Sequence, residues 1–170
     1  MTSPSATRPA PTTVAAFGLV GLGAAVGTTV RWAAGLAAPV ADGPLQPQLL
    51  VTLAINLLGS FLLGMLVGRL TLLADTGRMS AGRAARLRLL LGTGVLGGFT
   101  TYSAFALEAV TTARGGSATF ALLGVVYAAL SVAAGVTLAW AGLRAGRRGD
   151  RTPDVGGDDG EGTATAREET

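Results

Sequence analysis

Charged positions are scarce along the first 149 residues and fall between long uncharged runs. There are 22 uncharged residues between Arg8 and Arg31, 26 between Asp42 and Arg69, 19 between Arg88 and Glu108, and 29 between Arg114 and Arg144. A bilayer core about 30 Å thick takes about 20 apolar helical residues at 1.5 Å each. The pattern predicts an all-α integral membrane protein with four transmembrane helices, over 13–33, 48–68, 88–112 and 118–142. A buried soluble helical core is the competing reading. Four such runs in 170 residues leave too little polar surface to cover them.

The intervening stretches carry turn and tail chemistry. Asp42-Gly43-Pro44 with Pro47 marks a turn between the first two spans. Gly115-Gly116 marks a tight turn between the last two. Residues 69–88 hold Arg69, Arg78, Arg83, Arg86 and Arg88, a helical or looped basic connector at a membrane surface. Residues 1–12 are rich in Ser, Thr, Pro and Ala and are expected to be a disordered tail. Residues 14–30 are long for a signal-peptide core, and Ala38-Pro39-Val40-Ala41 is a poor cleavage site, so the first helix is expected to be retained. Residues 144–170 are expected to form a disordered acidic tail. The membrane domain is then 13–143, with no internal repeat.

Composition sharpens this picture. The chain is 49% hydrophobic and 14% charged, with a mean hydropathy of +0.52, against about 25% charged in ordinary soluble domains. Charge is segregated: residues 1–149 carry 11 Arg against Asp42, Asp75 and Glu108, while residues 150–170 carry 2 Arg and 7 acids. The absence of Cys, His and Lys excludes disulfide frameworks, thiol nucleophiles, imidazole acid–base chemistry, Walker-type phosphate loops and Schiff bases. An enzyme is a poor first guess. Nucleic-acid binding is equally poor, because the arginines form no continuous basic face.

Small and polar residues interrupt the apolar runs. Gly23 and Gly27, like Gly64 and Gly68, are spaced i, i+4 and let neighbouring helices approach closely. The second span carries Thr52, Asn56, Gly59-Ser60 and Leu63 along one stripe. An Asn at that depth needs an interhelical partner or a polar path to face. Residues 92–105 of the third span place Gly97-Gly98 and Thr100-Thr101 at mid-membrane, where regular helix should be interrupted. Broken backbone is tolerated there only when buried in protein or lining a cavity, and freed carbonyls could coordinate a hard cation. Tyr102, Phe105 and Glu108 share one face beyond the break. Arg31 ends the first span, and Tyr127 and Ser131 lie i, i+4 on the fourth.

These residues resemble the CrcB-type (Fluc) fluoride channels. The resemblance runs through Gly23-Ala24 with Arg31, the stretch from Thr52 to Gly64, the stretch from Gly97 to Phe105 followed by Glu108, and Tyr127 with Ser131 and Gly135. It covers residues 14–143. It implies a passive fluoride channel built as an antiparallel dimer with two fluoride pathways. It also implies a structural Na+ at the dimer centre, held by main-chain carbonyls at Gly97 and Thr100. By the same resemblance Asn56, Tyr102 and Phe105 line the pore, Thr52, Ser103, Glu108, Tyr127 and Ser131 form a polar track, and Arg31 serves the vestibule. One position departs: the family's first pore aromatic is usually Phe, and here it is Tyr102. The alternatives are a small four-helix proton-coupled exporter and a non-transporting membrane subunit. Exporters of this size use an acid in the first span, and residues 9–30 contain none.

Topology follows from arginine counting. The N-terminus, the 69–88 connector and the C-terminus share one side, which holds ten arginines near the span ends against Arg31 and Arg114 on the other. Both termini are therefore expected in the cytoplasm, with the chain multi-pass in the cell membrane. So strong a bias favours pairing with an oppositely oriented paralogue over pairing with itself.

Overall fold

The structure is a computed structural model that describes residues 12–36, 47–113 and 118–148. The readings made for residues 1–11, for the turns at 42–44 and 115–116 and for the acidic segment from 149 onward lie outside the described residues. The tail expected to begin at Arg144 does not begin there, because residues 144–147 complete the last turn of α6. Helix α1 is Thr13–Leu36, α2 is Pro47–Asp75, and α3 is Ala81–Leu87. A π-helical stretch follows over Arg88–Leu96, then α4 (Gly97–Phe99), α5 (Tyr102–Ala113) and α6 (Ala118–Arg147). Four helical spans are long and apolar enough to cross a membrane: Thr13–Leu36, Gln48–Asp75, Ala81–Leu107 and Ala121–Arg147. There is no strand among the described residues.

The helices outrun the expected spans. α2 continues seven residues past 68, the third span begins at Ala81 rather than 88, and α6 continues to Arg147 rather than 142. The physical reason is that the first charge marks the edge of the hydrocarbon, not the end of a helix. Arg is a good helix former whose stem lies along apolar surface. Of the basic connector, only Thr76–Ser80 is non-helical; Gly77 there takes φ 70°, which closes α2 with a left-handed residue.

Large apolar side chains point outward. Phe17, Leu22, Trp32, Leu122, Leu130 and Val136 are all exposed, and Ile55, Leu70 and Ala84 are the buried hydrophobic residues among those described. In water this would be an inside-out protein; in a bilayer, lipid tails solvate those faces and helix contact depends on close packing.

Glycines supply that packing along two seams. α1 runs parallel to the third span, with Gly23 and Gly27 seated on the backbones of Leu90, Gly94, Val95 and Phe99. A Cβ on Gly94 would lie 2.8 Å from the Gly23 Cα. α2 runs parallel to α6, with Gly64 and Gly68 against Ala139 and Leu143, and with Gly142 and Gly146 against Phe61, Met65 and Arg69. Each seam is thus built from glycine pairs on both helices. The pairs Gly94/Gly98 and Gly142/Gly146 carry the same i, i+4 spacing as the pairs read from the sequence.

Candidate functional site at the helix interruption

The third span changes backbone conformation at Thr100. Gly97 remains helical (φ −65°, ψ −36°), and the backbone turns extended at Thr100 (φ −76°, ψ 159°) before α5 resumes at Tyr102. The lapse therefore lies just past the double glycine, at the β-branched pair Thr100-Thr101. Upstream, the π-helical stretch contains buried Gly92 and Gly94. Such wide turns within helices concentrate at functional sites.

Side chains from both flanking helices hold the lapse open. The Asn56 amide forms a reciprocal pair with Thr101: its Nδ2 donates to the Thr101 carbonyl at 3.0 Å, and its Oδ1 accepts from the Thr101 N–H at 2.9 Å. From α1, Arg31 Nε donates to the Gly98 carbonyl at 3.1 Å, and Thr28 Oγ1 approaches the same oxygen at 3.4 Å. Thr101 caps α5, its Oγ1 accepting from the Ala104 N–H at 3.3 Å. Thr100 closes the preceding turn, its N–H and hydroxyl both donating to the Leu96 carbonyl at 3.0 Å. The Thr100 methyl lies over Gly59, where any Cβ would collide with it.

This wiring redirects two backbone donors. In an uninterrupted helix the Thr101 N–H would donate to the Gly97 carbonyl, and the Ala104 N–H to the Thr100 carbonyl. Here the first goes to Asn56 and the second to the Thr101 hydroxyl. Gly97 and Thr100 are therefore among the carbonyls that lose their usual helical donors, together with Gly98, which Arg31 and Thr28 meet, and Phe99.

A groove of about 720 Å³ opens beside the lapse, between α2, the third span and α6. Asn56, Gly97, Thr100, Tyr102, Phe105 and Ser131 line it, together with Ser60 and Thr93. The Phe105 ring stands between two others, 6.3 Å from Tyr102 and 5.7 Å from Tyr127 between centroids, tilted by 47° and 35°. Tyr102 is 81% exposed. Tilted rings present positive edges, which suit an anion. Asn56 Nδ2 has two hydrogens and spends one on Thr101. Ser131 donates its hydroxyl to the Tyr127 carbonyl at 2.7 Å, so its oxygen is oriented as an acceptor.

The remaining expected residues are distributed around this centre. Ser103 stands beside Thr101, their hydroxyls 3.3 Å apart. Thr52 is buried one turn from Asn56 on α2. Arg31 lies on the α1 side of the lapse, across the third span from the groove. Glu108 belongs to α5 by its backbone, and its side chain lies outside the described residues. Ser60, Thr93 and Thr28 were not singled out as site residues. Ser60 and Thr93 lie in the glycine-rich stretches already read as unusual, whereas nothing in the sequence marks Thr28.

Residues 18–143 match the family model described as CrcB-like protein, Camphor Resistance (CrcB). The chain belongs to the CrcB-like family. A fluoride-specific ion channel FluC of Hyphomonas neptunium is 43% identical over 132 residues, which cover 78% of this chain and 95% of that protein. Its counterpart in Novosphingobium aromaticivorans is 42% identical over 128 residues, covering 75% and 93%. A fluoride-specific ion channel FluC 1 of Cutibacterium acnes is 45% identical over 131 residues, covering 76% and 84%. The CrcB-like match contains every residue of the candidate site.

Proposed function

We propose that this CrcB-like chain is a passive fluoride channel that lowers cytoplasmic fluoride. The observation that carries the reading is the lapse at Thr100-Thr101, with carbonyls released on one side and amide hydrogens and ring edges gathered in the groove beside it. Fluoride is small and strongly hydrated, so a pore must replace its water with close donors. Asn56 Nδ2 and the edges of Tyr102 and Phe105 offer donors without a fixed cation that would trap the ion. An inside-negative potential supplies about 2.3 kcal/mol per charge per 100 mV, enough to drive the anion outward without coupling.

The Gly97 and Thr100 carbonyls suit a monovalent hard cation, because they are neutral oxygens deprived of their helical donors. A Na+ there would supply positive charge that fixes the lapse, and this chain's part is to keep those oxygens unpaired through Asn56 and Thr101. An antiparallel dimer agrees with the open groove and the exposed Tyr102, which a second subunit would enclose. The arginine excess on the side of the termini supports a cytoplasmic location for both, with an oppositely oriented paralogue as partner and a second copy of this chain as the alternative.

The test is fluoride efflux from liposomes containing the purified chain, with chloride as control. Rapid fluoride loss that persists without a proton gradient, with chloride retained, is the expected result. Chloride loss at the same rate, or dependence on the gradient, would remove the reading. Replacing sodium with a large organic cation on both sides should silence the efflux.

A further inference from the structure

A second cleft, of about 550 Å³, lies between α2, the π-helical stretch and α6 and shares Leu96 with the groove. Its walls are apolar, with Leu62, Leu66, Leu91 and Leu96 along its length and Gly146 at one end. Arg69 is the charged residue that lines it. The Arg69 Nη1 is buried and has no hydrogen-bond partner among the described residues. A guanidinium nitrogen removed from water without an acceptor is costly, so such a group calls for an anion.

The depth of the cleft says which anion. Arg69 stands roughly 32 Å along α2 from Gln48, at 1.5 Å per residue, which is the thickness of the hydrocarbon core. Its head is therefore at the level of lipid phosphates. Leu62 lies about 10 Å further toward the midplane by the same rise. The cleft thus has a cationic donor at headgroup depth and a leucine-walled slot leading inward from it. The neighbouring basic residues are differently engaged: Arg144 stacks on Trp140 at 3.4 Å, and Arg88 donates to Thr71 Oγ1 at 2.6 Å. Basic pockets between transmembrane helices recognise acidic headgroups.

We infer that this cleft binds an anionic phospholipid, its phosphate accepting from the Arg69 guanidinium and one acyl chain lying along Leu62, Leu66 and Leu96. The chemistry is a phosphodiester with no ammonium group of its own to compete for it, attached to a chain long enough to fill the slot.

Native mass spectrometry of the full-length, delipidated protein tests this directly, with phosphatidylglycerol as the probe and phosphatidylcholine as control. One phosphatidylglycerol should be retained per chain in preference to phosphatidylcholine. Arg69→Met should weaken that retention about tenfold, a loss of about 1.4 kcal/mol, while Arg69→Lys keeps most of it. Ala145→Phe keeps the guanidinium but fills the slot, and should weaken retention similarly; it carries the test should Arg69→Met fail to fold. Arg148→Gln, at the same end of the bundle, should change nothing. Wild-type retention by Arg69→Met and Ala145→Phe, or equal retention of phosphatidylcholine, overturns the inference. So does displacement by excess inorganic phosphate, which would leave the phosphate alone as ligand. A gain in lipid binding on removal of residues 150–170 would make the acidic segment the occupant. Conversion of a dimer to monomers by Ala145→Phe would make the cleft a protein interface.

Discussion

Replacing Asn56 with Leu removes both bonds that pin Thr101 while keeping the branching and the number of side-chain heavy atoms. Hydrogen bonds between membrane helices are worth about 0.6 kcal/mol on average and up to about 1.7, and an unmet buried backbone group costs about 1–3 kcal/mol. The Thr101 N–H and carbonyl would both lose their partner in a part-buried site, so Asn56→Leu should cost about 2–3 kcal/mol. For a chain of this size that is a fall in Tm of about 4–12 °C. The second consequence is functional. Once freed, the Thr101 N–H can return to the Gly97 carbonyl, so sodium dependence and fluoride efflux should be lost together. Asn56→Asp probes the fluoride path more directly. Its carboxylate still accepts from the Thr101 N–H, but its other oxygen faces the Thr101 carbonyl with no proton between them and the charge is costly within a membrane helix, so the fall in Tm should be at least that of Asn56→Leu. Its negative charge stands where fluoride must pass, so efflux should vanish. Thermal unfolding in detergent and liposome efflux, run on the same preparations, read both. A wild-type Tm for Asn56→Leu would show that the amide pair carries nothing. Near-normal efflux from folded Asn56→Asp would take Asn56 out of the fluoride path.

Four further outcomes are expected. Gly27→Ala puts a Cβ 2.8 Å from the Phe99 nitrogen and onto the Val95 carbonyl, so thermal unfolding should show a loss of about 2 kcal/mol or more. Gly21→Ala, which meets nothing within 4 Å, should stay within about 0.5 kcal/mol of wild type or gain from better helix propensity. Phe105→Ile removes the central ring between Tyr102 and Tyr127 and should cut fluoride efflux at least tenfold, about 1.4 kcal/mol, in a variant that unfolds normally. A reporter fused to either terminus should be found on the cytoplasmic side alone, and equal populations on both sides would defeat the fixed orientation drawn from the arginine count.

The four spans were legible because hydrocarbon thickness dictates the length of an uncharged run, and arginine positions show that limit plainly. Helix ends were not, since Arg69 and Arg88 sit within helices instead of ending them. The role of Asn56 shows a subtler limit. Its cost at mid-membrane announced that it had a partner or a polar path to face, but composition could not say that the partner was the Thr101 backbone. The double glycine drew attention to the right turn, yet Gly97 is itself helical and the extended residue is Thr100. Glycine permits a lapse; the Asn56 and Thr101 side chains decide where it falls. The π-helical stretch over Arg88–Leu96 left no sign in the spacing of apolar residues, because leucines on several faces satisfy either period.

The parallel seams impose an order on how the protein is made. α1 seats on the third span and α2 on α6, so neither seam joins helices that follow one another along the chain. The Thr28 to Gly98 contact, beside the first seam, closes over 70 residues of sequence. At a synthesis rate of about 5–20 residues per second, that is roughly 4–14 s during which α1 is inserted with its glycines facing lipid. The second seam waits in turn for α6. Neither seam can form until the ribosome has delivered the third span. Until then Gly23 and Gly27 have lost no partner and found none, and stand available to any other small-residue helix that passes.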